Sequence, residues 1–159
     1  MKQIFVDLET TGLDPKTDVI TEVGMIYKKN GKIVKTFNHI GRKGMSKAIL
    51  NFLDSIIDKY DSSDKAYFLA YNARFDADFM YAFFRECPGS NFGNYFYHTP
   101  VDILQIAAYK FMRTRKVPEN FKLATVARSL GIKISEGNLH TAMYNIKLTN
   151  EVYKKLLKL

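Results

Sequence analysis

Cysteine is nearly absent: Cys87 is the one thiol in 159 residues. This excludes an internal disulfide framework and a cysteine-based zinc site, and makes a reducing, cytoplasmic setting the default. No apolar run approaches the ~20 residues needed to cross a bilayer, so no membrane span is expected. The N-terminal apolar stretch meets Asp7 and Glu9 at once, unlike a secretory leader. Internal repeats, low-complexity tracts and linkers are also missing, and the length suits one domain over residues 1–159 with one sizeable core. Acidic residues are in the minority: Lys+Arg 24 against Asp+Glu 16 gives a net charge of +8, which favours a polyanionic partner. Lysine outnumbers arginine, so the charge reads as phosphate attraction rather than base readout. The plainer alternative is a lysine-rich surface that serves solubility. An anionic membrane surface is disfavoured, because neither terminus carries a long basic amphipathic helix.

Residues 3–8 read as a strand and 10–18, with Gly12, Asp14 and Pro15, as a loop. Ile20–Lys28 and Lys32–Ile40 read as two strands around Asn30-Gly31, the dipeptide of a tight type I′ turn. Ser46 is a candidate cap for a helix running to about Tyr60. Ala66–Tyr71 reads as a buried strand, Ala73–Cys87 as a helix capped by Asn72, and Ser90–Tyr97 as a loop. Pro100–Ile103 is a short strand leading into a helix to about Arg113; Lys122–Leu130 and Thr141–Leu157 are further helices. Three strands followed by alternating helices and strands predict an α/β fold, a mixed sheet of about five strands flanked by helices.

Asp7 and Glu9 carry the most information. Strand side chains alternate, so both carboxylates point to one face while Val6 and Leu8 point to the other. Two like charges side by side on a core strand repel and lose solvation unless a cation lies between them. For carboxylate oxygens that cation is magnesium or manganese. An exposed strand end with two solvated acids is the competing reading. Asp76 stands near the start of the helix after Asn72, where the helix dipole alone favours an acid. His140 opens the last helix, where the dipole disfavours a positive ring; a neutral imidazole there suits a general base, and a surface histidine is the alternative.

Taken in order, Asp7-x-Glu9-Thr10-Thr11-Gly12, Asn72-x-x-Phe75-Asp76 and His140-x-Ala142-x-x-Asn145 resemble the three motifs of the DEDDh, DnaQ-like 3′→5′ exonucleases, which have a ribonuclease H-like fold. The resemblance covers essentially the whole chain. It implies two divalent cations, Mg²⁺ or Mn²⁺, about 4 Å apart, and hydrolysis of phosphodiesters from a single-stranded 3′ end to nucleoside 5′-monophosphates. It further implies that Asp7 bridges both cations, that Glu9 and the residue at 145 hold the one activating water, that Asp76 supports the second, and that His140 takes the proton from the water. Thr10, Thr11, Gly12, Leu13, Asn72, Phe75 and His140 would lie at the terminal nucleotide, Leu13 beside its base; a core leucine is the alternative for Leu13.

One position departs from the family. Asn145 stands where these enzymes have an aspartate, and an amide offers a cation only its carbonyl oxygen. Either an Asp→Asn replacement has inactivated the chain, which the intact remaining motifs favour, or the natural activity is lost or changed. The competing functions are a catalytically dead nuclease fold that binds nucleic acid or protein, and a proofreading subunit docked on a DNA polymerase. Neither DNA nor RNA is selected, nor proofreading against DNA repair or RNA processing, nor an oligomeric state. Lys110, Arg113, Arg115, Lys116 and Lys122, interleaved with Tyr109, Phe111 and Phe121, suit a strand-binding surface; a solvated basic loop beside a helix end is the plainer reading. Asp78 and Asp102 are expected to serve caps or structure, and Tyr95, Phe96 and Tyr97 the core.

Overall fold

Ile4, Val6 and Leu8 project from one face of the first strand and Phe5 from the other, and all four are buried. A strand covered on both faces belongs at the centre of a sheet flanked by two helical layers. The computed structural model, which describes residues 1–114, 117–139 and 141–159, has that architecture. Strands β1 (Lys2–Thr10), β2 (Ile20–Lys29), β3 (Lys32–Ile40), β4 (Tyr67–Ala70) and β5 (Val101–Asp102) form one sheet in the order β3-β2-β1-β4-β5. The β1–β2 and β2–β3 pairs are antiparallel, and β1–β4 and β4–β5 are parallel. The expected mixed sheet with flanking helices is therefore present. Asn30 and Gly31 join β2 to β3 with φ of 51° and 81°, the two left-handed residues that a type I′ turn requires.

Helices α1 (Met45–Asp54) and α2 (Ala73–Arg85) cover the Ile4, Val6 and Leu8 face, joined by the short α3 (Phe92–Tyr95). Helices α4 (Ile103–Met112), α5 (Leu123–Ser129) and α6 (Ala142–Leu156) cover the Phe5 face. Among the described residues no helix is long and apolar enough to cross a membrane.

Several boundaries differ from the sequence reading. The N-cap of α1 is Gly44, at φ 72°, so Ser46 lies inside the helix instead of capping it. The helix stops at Asp54 rather than near Tyr60, where the Ser55 hydroxyl donates back to the Phe52 carbonyl at 2.6 Å. Asn72 is the N-cap of α2 by backbone position only; it sits at φ 64° and its side chain caps nothing. The segment expected as loop 90–97 contains α3, closed by reciprocal hydrogen bonds between Asn91 and Asn94. Its Tyr95 and Phe96 are fully buried, as a core role requires, whereas Tyr97 is exposed.

The start of α6 lies across β1 and β2, and one residue permits this. A Cβ on Gly24 would stand 2.9 Å from the Ala142 backbone, closer than carbon atoms tolerate. Gly24→Ala is therefore expected to push the first turn of α6 off the sheet, at about 1–3 kcal/mol. Thermal denaturation reads this directly, and an unchanged midpoint would contradict the close-approach account.

Candidate active site

The carboxylates gather at the C-terminal end of β1. In register, Asp7 faces Gly24 and Glu9 faces Glu22 across the β1–β2 ladder. Residues directly opposite share a face of the sheet, so Asp7, Glu9 and Glu22 all point toward α6. On the other edge β1 pairs with β4 only from Gln3 to Phe5. Beyond that point the edge is open, and Asp76, in the first turn of α2, enters there. Its Oδ1 accepts from the Leu8 backbone N–H at 3.0 Å. Asp76 is buried, and the helix N-terminus helps to hold its charge.

Asn145, in the first turn of α6, donates from Nδ2 to Glu9 Oε1 at 3.3 Å. Asp7, Glu9, Asp76 and Asn145 are thus delivered to one end of the sheet by β1, α2 and α6. His140 lies outside the described residues. Among the described residues no group of three or more histidine, cysteine, aspartate or glutamate side chains converges closely enough to hold a metal ion.

Burial pushes the Asp7 carboxyl up to about 8; the charge of Glu9 adds to this, hydrogen bonding from Asn145 opposes it, and Glu22 adds a further upward push. Asp76 is likewise raised well above the usual carboxylate range, by burial first and then by the charge of Asp7. Asp7 Oδ2 is buried without a hydrogen-bond partner. A buried carboxylate oxygen left unsatisfied is costly, and a cation is the group that would relieve it. The donors are hard oxygens, the type that Mg²⁺ and Mn²⁺ prefer. In donor chemistry the residues fit a divalent cation.

Around the acids, Thr10 Oγ1 donates to the Gly12 carbonyl at 2.6 Å and Thr11 Oγ1 to Asp18 at 3.1 Å. A Cβ on Gly12 would collide with the Asp18 carboxylate, so this glycine makes room for a loop-bracing acid of its own chain. Leu13 is 84% exposed, which rules out the core alternative. Asn72 is exposed, and Phe75 is half-buried with its ring 5.0 Å from that of Phe79. Asp102 caps α4 by accepting from Leu104 N at 2.9 Å, and also accepts from Asn72 N at 3.1 Å; Asp78 pairs with Arg74 at 3.7 Å. Both acids are structural, as expected.

The basic and aromatic segment divides. Phe111 is buried and its ring meets Phe121 at 6.4 Å, so these two rings serve the core. Tyr109 is exposed beside Arg113, and Arg115 and Lys116 lie outside the described residues. The sequence reading missed Glu22 and Gly24. The signals were a lone glycine in an apolar strand, which marks close backbone approach, and an acid two residues before it on the same face.

A mixed five-stranded sheet with two acids ending its central strand, and a third brought by the helix after β4, defines the ribonuclease H-like class. The chain belongs to the RNase_H superfamily, whose family model matches residues 4–146. The likeness to DEDDh exonucleases drawn from the motifs holds in its relatives. The chain is 28% identical to a DNA polymerase III PolC-type of Clostridium perfringens, over 95% of this chain and 11% of that protein. It is 24% identical to the 3′-5′ exonuclease DinG of Staphylococcus aureus, over 86% of this chain and 16% of the relative. The chain thus spans a small part of the length of these relatives. Its fold is that of E. coli exonuclease I in complex with a 5cy-dT13 oligonucleotide, with a TM-score of 0.70 at 18% identity, covering 99% of this chain and 40% of the other.

Proposed function

We propose that residues 1–159 form a single exonuclease domain that removes nucleoside 5′-monophosphates from a single-stranded 3′ end, in a form impaired by Asn145. The observation that supports this best is the partnerless buried oxygen of Asp7 beside Glu9, a costly arrangement that a cation would relieve. Asp7, Glu9 and Asp76 would hold two divalent cations, with Asn145 contributing its carbonyl oxygen. When bound, the cations would supply positive charge to offset the phosphodiester and lower the pKa of the attacking water. His140 would accept that water's proton on a ring nitrogen. Leu13 and Phe75 would grip the terminal base and exclude water from its face, and the basic surface would draw in the strand. Relatives named as a polymerase and an exonuclease make a DNA polymerase a candidate partner, with proofreading or DNA repair as the setting.

The deciding experiment incubates the chain and its Asn145→Asp variant with 5′-labelled single-stranded DNA and RNA and Mg²⁺ or Mn²⁺. A ladder shortening from the 3′ end, abolished by EDTA, is expected from the variant; failure of both forms to cut either strand would sink the reading. Leu13→Ala is expected to raise KM for an oligonucleotide severalfold and to leave the melting temperature unchanged, since the side chain is in solvent. An equal KM would remove Leu13 from the substrate site.

A second reading has one observation in its favour. The Asn145 amide satisfies a Glu9 oxygen with a neutral donor, which a nuclease fold that binds nucleic acid without cutting it could retain. Retained strand binding with no cleavage by the Asn145→Asp variant would select it.

A further inference from the structure

We propose that Glu22 is a positioning residue for the cation site, its buried carboxylate supplying from β2 the negative charge that Asn145 fails to supply from α6. The inference rests on the metal-dependent reading above.

Glu22 is only 8% exposed. Glutamate is almost never buried this far unless something compensates its charge. Among the described residues no lysine or arginine forms a salt bridge with it. Its neighbours make its burial harder. Glu9 is its direct cross-strand partner, and Asp7 lies two residues further along the same face. Like charges directly opposite on a sheet destabilise it. Among the described residues its polar neighbour is neutral: the Asn38 side-chain amide lies 3.1 Å from Glu22 Oε1 and 3.1 Å from the Val23 carbonyl, and with its nitrogen turned toward them it donates to both. That contact orients the carboxylate and contributes no countercharge.

The same geometry limits what Glu22 does. No three acids among the described residues converge on a common point, so Glu22 is not assigned as a ligand. It acts one layer out, by its charge and by confining Glu9 from the β2 side. Two dications need four negative charges for neutrality. Asp7, Glu9 and Asp76 provide three, Asn145 provides none, and Glu22 brings the count back to four. A site assembled this way retains attraction for a cation although its α6 ligand is an amide.

Glu22→Gln keeps the shape and the acceptor for Asn38 while removing the charge. Mn²⁺ binding, followed by electron paramagnetic resonance, is compared in the parent, Glu22→Gln, Asn145→Asp and the double variant, with metal-free melting curves for each. Loss of an outer-layer partner weakens metal binding by about 10- to 100-fold, and a weakening of that size is expected on Glu22→Gln in both backgrounds. Asn145→Asp should return the double variant to at least parental affinity, and metal-free Glu22→Gln should melt no lower than the parent, because a repulsion has been removed. Unchanged Mn²⁺ affinity on Glu22→Gln overturns the proposal. So does a loss that Asn145→Asp fails to restore, accompanied by a lower melting temperature, since that outcome marks a purely structural residue. If Asn145→Asp binds Mn²⁺ while Glu22→Gln has no effect, only this inference fails. If no form binds Mn²⁺, the metal-dependent reading falls with it.

Discussion

Asn145→Asp is expected to raise the rate of 3′-end hydrolysis by roughly 100-fold or more, which is about 2.7 kcal/mol of barrier. The amide now donates to Glu9 at 3.3 Å, so it faces a neighbouring carboxylate as a hydrogen-bond donor. An aspartate cannot donate there once ionised. It would instead add a fourth motif carboxylate to a site where burial, and then neighbouring negative charge, already push Asp7 and Asp76 upward. Cation affinity and rate should therefore rise together. The same substitution should lower the stability of the metal-free protein, because it replaces an attractive contact with a repulsive one. Initial rates on a 5′-labelled oligonucleotide at saturating Mn²⁺, set beside metal-free melting curves, test both limbs. A faster enzyme that is also more stable without metal would show that the Asn145–Glu9 contact has been misjudged.

Asp7→Asn should have the opposite signature, abolishing cleavage and stabilising the metal-free fold at pH 8. The sign follows from proton binding. Burial raises the folded-state pKa of Asp7 from 3.8 to about 8, so between those values the folded protein holds a proton that the unfolded chain has released. Stability then falls as pH rises through that window, by an amount on the order of a few kcal/mol. Asp76 pushes in the same direction. Metal-free protein should accordingly melt at progressively lower temperature from about pH 4 to pH 8, and Asp7→Asn should flatten the slope. Divalent cations should restore stability at the alkaline end, where the ionised carboxylates bind them. A parent whose melting temperature rises steadily across this window would contradict the burial of Asp7.

What the sequence made legible was local chemistry. Asn30-Gly31 declared its turn because few other dipeptides accept two left-handed residues in succession, and Asp7 and Glu9 declared their shared face because a strand alternates. Two of the misses came from contacts between distant segments and one from a local turn-back. Asn72 has the composition of a cap, yet it is held at φ 64°, with its backbone N–H donating to Asp102, thirty residues away at the end of β5. The end of α1 depends on a serine hydroxyl turning back on its own helix. Glu22 carried no reading in the sequence beyond membership of the strand Ile20–Lys28; it is buried where β3 brings Asn38 beside it and where α6 crosses the sheet over Gly24. His140, to which the resemblance would give the proton-transfer role, lies outside the described residues.

The open edge of β1 makes the seat of Asp76 depend on backbone as much as on side chains. Asp76 is seated by a main-chain amide, that of Leu8, and every residue except proline carries that donor. A substitution at position 8 therefore keeps the donor, but the Leu8 side chain packs in the same cluster as Ala73, Ala77 and Phe79 of α2, the helix that carries Asp76. The acid is thus tied to β1 twice, through the main-chain amide of position 8 and through the packing of α2 against the Leu8 side chain. A shift of register or an inserted residue in β1 would break the first tie, and a change of side-chain volume at position 8 would strain the second.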